Sequence, residues 1–187
     1  MSATTQGELA ADLRARTDAA DARARALTAG LNAAVLRRAP SDGGWSIGQV
    51  FEHLIVSADS YLETLPRIIA AARERRVGEA ATVWAPSLMG GWLARSLAPG
   101  TRRMPAPKSY RPGPEPRADV VAAFLARQAA FKRAMEDAAE VDWRRVRLGS
   151  PVLGLIRINL GDAFLINTVH VERHLGQVER VLAEVRG

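Results

Sequence analysis

Three histidines carry the chemistry that this 187-residue chain can offer a metal, because the sequence contains no cysteine. His170 and His174 stand four apart in GDAFLINTVHVERHLGQVERVLAEV, so on a helix both imidazoles leave one face about a turn from each other. The third, His53, lies in WSIGQVFEHLIVSADSYL, early in the chain. Neutral imidazole is a common ligand for first-row divalent metals, and an i, i+4 pair can grip one ion from one face while a third ring from another helix completes the set. The competing reading is plain packing. A histidine on an apolar face more often bonds a backbone carbonyl than a metal, and one i, i+4 pair does not decide between the two. The missing cysteine excludes disulfides, thiolate metal sites, iron–sulfur clusters and a protein thiol nucleophile.

H-V-E-R-H at 170–174 is not the metalloprotease pattern H-E-x-x-H, in which the glutamate adjoins the first histidine and serves as base. Glu172 sits two residues on, turned about 200° around the helix from His170, and points away from any ion held there. Gln49, four before His53, Asn167, three before His170, and Gln177, three after His174, share the histidine faces. They are the candidates for orienting ligands or lining a pocket. Gln49 is equally suited to ordinary capping, and the other two to facing solvent. No residue is assigned a catalytic role.

These side chains must be positioned by helices. Gly7 to about Thr28 is rich in alanine, leucine and arginine and reads as a long helix, with Asp12 and Asp21 each four residues before an arginine. A short turn of helix fits between Gly30 and Pro40, and Pro40–Gly44 reads as a loop. Ser46 with Gln49 forms a capping box, and Trp45 with Val50 a hydrophobic staple. From there Val50, Leu54, Tyr61, Leu65 and Ile68 mark an apolar stripe, which Pro66 should kink or interrupt. Gly78–Pro116 holds seven of the ten prolines with Trp84, Trp92 and Tyr110, and is expected to be a long excursion, either a lid or surface filler. Its middle, PSLMGGWLARSL, suits a short interrupted helix. A third long helix is expected from about Arg117 to Ala139, with Phe124, Phe131 and Met135 facing the core. Leu148–Asn159 contains Val152, Leu153, Leu155, Ile156 and Ile158, but no other segment offers a strand partner, so an extended connection is expected. Phe164, Val171, Leu175, Val178 and Leu182 give the last helix its apolar stripe.

Four amphipathic segments with one long connection describe an all-α four-helix bundle, with a crossover connection and the Pro-rich excursion between its second and third helices. Residues 5–186 are expected to form a single domain, with 78–116 as the excursion. At 48% hydrophobic and 25% charged residues the chain suits one globular unit. No apolar run is long enough to span a bilayer and no leader pattern opens the sequence, so a cytoplasmic location without membrane contact is expected. The net charge of +6 invites nucleic acid, but 24 of the 26 basic residues are arginines spread along every segment, and nucleic-acid binding is discounted.

The motifs W-S-I-G-Q-V-x-x-H-L at Trp45–Leu54 and L-G-D-A-x-x-x-x-x-x-H-x-x-R-H-L-x-Q at Leu160–Gln177 resemble the DinB-like (YfiT-like) superfamily of metal-binding four-helix bundles. With the helix spacing, the resemblance covers nearly the whole chain. It implies an open bundle that binds one divalent ion, zinc or nickel most often and sometimes iron or manganese, on His53, His170 and His174, and it implies a homodimer. It also implies a transferase that uses a low-molecular-weight thiol on small electrophilic substrates, or an isomerase or hydrolase; the alternative is a binding or stress-response module that holds metal without turnover. The 78–116 excursion is longer than in compact members.

Overall fold

The structure, a computed structural model, describes residues 4–78, 83–101, 105–151, 154 and 156–186. The expected excursion at 79–82 and 102–104, and Val152, Leu153 and Leu155 of the expected connection, lie outside the described residues. The helices in chain order are α1 (Gln6–Thr28), α2 (Ala33–Arg37), α3 (Ile47–Leu62), α4 (Leu65–Glu74), α5 (Leu88–Leu97), α6 (Val120–Asp137) and α7 (Leu160–Arg186), with a 3-10 turn at Lys108–Tyr110. Helices α1, α7, α3 and α6 pack in a closed ring, each against the next, and this is the four-helix bundle that the periodicity predicts.

The starts of these helices follow from local chemistry. Ser46 accepts from the Gln49 amide at 3.3 Å and its own N–H donates to Gln49 Oε1 at 3.0 Å, as the sequence predicts. Thr5 and Glu8 form a second such box at α1. The break after Leu62 falls at Glu63–Thr64, and Pro66 sits in the first turn of α4, where its missing N–H costs no helical bond.

The Leu148–Asn159 expectation requires correction. Arg147–Gly149 (β1) and Arg157–Asn159 (β2) form an antiparallel hairpin, with Leu148 opposite Ile158. The strand partner was within the same stretch, and both strands are three residues long, too short to declare themselves by alternation.

The apolar core falls into two clusters, one around Leu13, Trp84, Trp143 and Phe164, the other around Phe51, Phe124, Leu175 and Val178. Each long helix crosses from one to the other at a polar residue: Thr17 between Leu13 and Ala20, Ser57 between Ile55 and Ala58, Gln128 between Phe124 and Phe131, and His170 between Val169 and Val171. The changeover therefore places polar groups at mid-bundle.

The first turn of α7 is locked by a shared carboxylate. Asp162, fully buried, accepts from Ser87 Oγ at 2.6 Å, the Ser87 amide at 3.1 Å and the Asn159 amide at 3.0 Å, while Asn159 Oδ1 accepts from the Asp162 amide at 2.8 Å. Ser87 also caps α5 through the Gly90 amide. One side chain thus joins the starts of α5 and α7. The glycines here are required by close approach. A Cβ on Gly90 would overlap the Asp162 carboxylate, and one on Gly161 would meet the Trp84 indole, with Cε2 at 2.6 Å.

Gly161→Ala should lower stability by about 1–3 kcal/mol, the usual cost of overpacking, because Trp84 is fully buried and cannot yield. Urea denaturation checks this. Tyr61, buried against Phe131, has a hydroxyl with no hydrogen-bond partner among the described residues. Tyr61→Phe should therefore be neutral or stabilising by about 1 kcal/mol in the same assay.

Candidate metal centre

Helix α3 delivers His53 and α7 delivers His170 and His174 to the mid-bundle. Their ligand nitrogens all lie within 4.8 Å of one another. His53 is buried and the other two are half-buried. The ring centroids are 5.0 Å (53–170), 4.7 Å (53–174) and 4.6 Å (170–174) apart, all close to edge-to-face. The Trp45 ring lies 4.9 Å from that of His53, tilted by 46°, a contact additional to the expected staple.

Hydrogen bonds on the far side of two rings fix which nitrogen faces inward. His53 Nδ1 is 2.7 Å from the Tyr110 carbonyl, which can only accept, so Nδ1 carries the proton and Nε2 presents a lone pair. His174 Nδ1 is 2.9 Å from Gln177 Oε1, and donation there likewise frees its Nε2. His53 Nε2 and His170 Nε2 are 3.1 Å apart. Two nitrogens on one tetrahedral zinc are separated by about 3.3 Å, given bonds of about 2.0–2.1 Å. Ring placement, outward-directed N–H groups and the softness of imidazole therefore all fit a divalent transition metal.

Electrostatics point the same way. Burial pushes the His170 pKa well below its ordinary value, with His174 and His53 adding to the effect. Burial, then His53, lowers His174 to about 3. Burial also lowers His53, against the Tyr110 carbonyl, which raises it. All three rings are neutral at pH 7, the form in which imidazole binds metal.

The carboxylates nearest in sequence are committed elsewhere. Glu172 takes Arg16 of α1 in a two-pronged pair, 2.8 Å at both contacts, which agrees with its expected direction away from the site. Glu52 accepts the Arg117 amide and Nε, each at 2.8 Å. Among the described residues the cluster contains histidines alone.

Of the proposed orienting residues, Gln177 bonds a ring directly. Asn167 is buried on α7, and no hydrogen bond joins it to the imidazoles. Gln49 completes its cap and also donates to the Gly113 and Pro114 carbonyls at 3.1 and 3.4 Å. The return of the excursion is thus fastened along α3. Tyr110 is held at His53, Gly113 and Pro114 at Gln49, Pro116 against Gly48, and Arg117 at Glu52. From α7, Arg173 donates to the Ala98 carbonyl at 3.1 Å and bonds Thr101 Oγ1. Sequence reasoning missed the Tyr110 carbonyl, a main-chain group in a Pro-rich stretch.

The family model described as the DinB superfamily matches residues 16–178, a span that includes all three histidines. The chain belongs to the DinB superfamily. No curated protein and no solved structure matches it significantly. In this DinB protein the L-G-D-A motif has a visible purpose, since Gly161 admits Trp84 and Asp162 ties α7 to α5.

The depressed histidines make the metal-free protein acid-sensitive. The unfolded chain takes up protons near the ordinary value of about 6.5, while folded His174 resists until about 3. Between these values the unfolded state holds more protons, so stability falls as pH drops below about 6.5, by at most about 1.4 kcal/mol per pH unit for each imidazole. Urea midpoints measured with chelator from pH 7 to 5 should show this slope, and His174→Gln should make it shallower.

Proposed function

We propose that the protein is a metal-dependent transferase in which His53, His170 and His174 hold one divalent ion and a low-molecular-weight thiol is transferred to a small electrophile. Zinc or nickel suits three imidazoles, and iron or manganese is compatible. The observation that carries the reading is the donor set, three converging neutral imidazoles with no thiolate or carboxylate among the described groups. A metal with three protein ligands keeps coordination positions for an exogenous group and lowers the pKa of a thiol placed there.

In the balanced reaction the thiol proton goes to solvent, sulfur forms a bond to the electrophilic carbon, and the leaving group departs with its electron pair. The chain's own part is positional. The Tyr110 carbonyl holds His53, Gln177 holds His174, and the Trp45 ring packs against His53. Asn167, buried one turn before His170, is the proposed polar group of the pocket. Glu52 and Glu172 are held by arginines, so neither is available as a base for a metal-held water, and a thiol, being more acidic than water, needs such help less. This favours thiol transfer over hydrolysis.

Elemental analysis of untagged protein should find about one transition-metal ion per chain, lost in His170→Ala. Unchanged metal content in that variant would refute the ligand assignment. Gln177→Ala should weaken metal affinity about 10–100-fold while leaving the fold intact. A panel of low-molecular-weight thiols with a chromogenic electrophile then tests the reaction. Conjugation that depends on metal supports transfer, whereas metal-dependent hydrolysis without thiol overturns it.

A further inference from the structure

We infer that the outer face of α5 and the arginines of the neighbouring hairpin form a docking surface for an anionic lipid bilayer. This inference is independent of the metal site. Helix α5, LMGGWLARSL, is apolar on both sides. Gly90, Gly91, Leu93 and Ala94 are buried, and the helix packs on α7. On the opposite side Leu88 is 93% exposed, Trp92 46% and Met89 39%, and Val83 just upstream is 50% exposed. Positions 88, 89 and 92 share one face of the helix, with Arg95 three residues further on. Scattered exposed apolar residues are ordinary, but a contiguous set rimmed by charge marks a contact surface.

The charge around this face identifies what covers it. Helix α5 abuts β2, and the Trp84 indole donates to Asn159 Oδ1. The hairpin exposes Arg147 and Arg157, and Arg144 is exposed just before it. The pairing sets Arg147 opposite Asn159 and Arg157 opposite Gly149, so the two arginines are near neighbours. Among the described residues the nearby carboxylates are engaged in other bonds, and Asp162 meets the charge of Arg147 from within its own cap. Asp162 is buried in its cap, Asp142 is engaged by Arg145 and by the amides of Arg144 and Arg145, and Glu8 closes the α1 box. A second copy docked here about a two-fold axis would bring these arginines together, which disfavours self-association. A phosphate backbone alone would have no use for Leu88, Met89 and Trp92. An anionic bilayer uses both parts, taking the apolar side chains at the acyl boundary and the guanidinium groups at its phosphates. No described helix is long and apolar enough to cross a membrane, so the proposed contact is interfacial and replaces the expectation of no membrane contact drawn from the sequence.

The test mixes the full chain with vesicles of phosphatidylcholine alone or of phosphatidylcholine with phosphatidylglycerol, and reads co-sedimentation and tryptophan emission. Binding is expected to the mixed vesicles only, to weaken with salt, and to shift the emission to the blue. Leu88→Ser/Trp92→Ser should abolish the blue shift and cut binding at least about ten-fold. Arg147→Glu/Arg157→Glu should weaken binding about five-fold or more per arginine. All four side chains are exposed, and unchanged thermal melting confirms that the variants fold. The inference is overturned by absence of binding to anionic vesicles, or by binding that Leu88→Ser/Trp92→Ser leaves intact. It is also overturned if that variant instead abolishes a concentration-dependent dimer, or if duplex DNA binds with the same arginine dependence while vesicles do not.

Discussion

A buried imidazole must give away its N–H, and this requirement organises the centre of the molecule. His170 stands where the two apolar clusters meet, His53 and His174 lie within a turn of it beside the second cluster, and no carboxylate among the described groups stands ready to take a proton. His53 meets the requirement with a main-chain carbonyl and His174 with an amide from its own helix. In both cases the proton faces outward and the lone pair inward. The same carbonyl belongs to the short 3-10 turn within the Pro-rich excursion, so a segment outside the four bundle helices supplies the orienting bond for His53. Proline suits that task, because a chain without regular hydrogen bonding has carbonyls to spare. Gln49, Gly48 and Glu52 hold the return of the excursion on either side of this bond, and the Tyr110 carbonyl is thereby kept in place.

The helices and the histidine triplet were legible because their signals are local. A capping box needs two residues at fixed spacing, and Ser46–Gln49 forms as read. The His170–His174 face follows from helical period, and Glu172 turns to Arg16 for the same reason. What sequence did not disclose depends on distant partners. Asp162 reads as an ordinary first-turn acid, yet its carboxylate reaches Ser87, 75 residues away. Tyr110 reads as an aromatic among prolines, but its contribution is a carbonyl that every residue possesses. Trp45 fits a local staple and also packs its ring, tilted, against His53. The hairpin was missed because its strands are shorter than the window in which alternation can be recognised.

Charge shows the same division between local and distant information. Along the sequence the arginines are dispersed, and much of that dispersion serves pairing between helices, as in Arg16–Glu172, Arg23–Glu179, Arg127–Asp59 and Lys132 with Asp18 and Asp21. Such pairs contribute little each, and the exposed ones are weakened by salt, but they fix which face of α1 meets α7 and which face of α3 meets α6. Arg144, Arg147 and Arg157, exposed on and just before the hairpin, come together beside α5 only once the chain is folded.

The histidine centre also sets a limit on stability without metal. Three neutral rings packed within 4.8 Å forgo the water that each would have in the unfolded chain. Two receive a bond in return, and the third has the lone pair of His53 within 3.1 Å. A ligand that binds the folded state alone adds stability in proportion to the logarithm of its concentration over its dissociation constant. An ion seated on these nitrogens would therefore do more than supply chemistry. It would join α3 to α7 within about a turn of the level where each helix crosses between the two core clusters, His170 standing at the α7 changeover and His53 one turn before Ser57. The neutral state enforced by burial keeps protons from competing for that position near pH 7. Burial thus costs the metal-free fold some stability and keeps the same nitrogens ready for a metal.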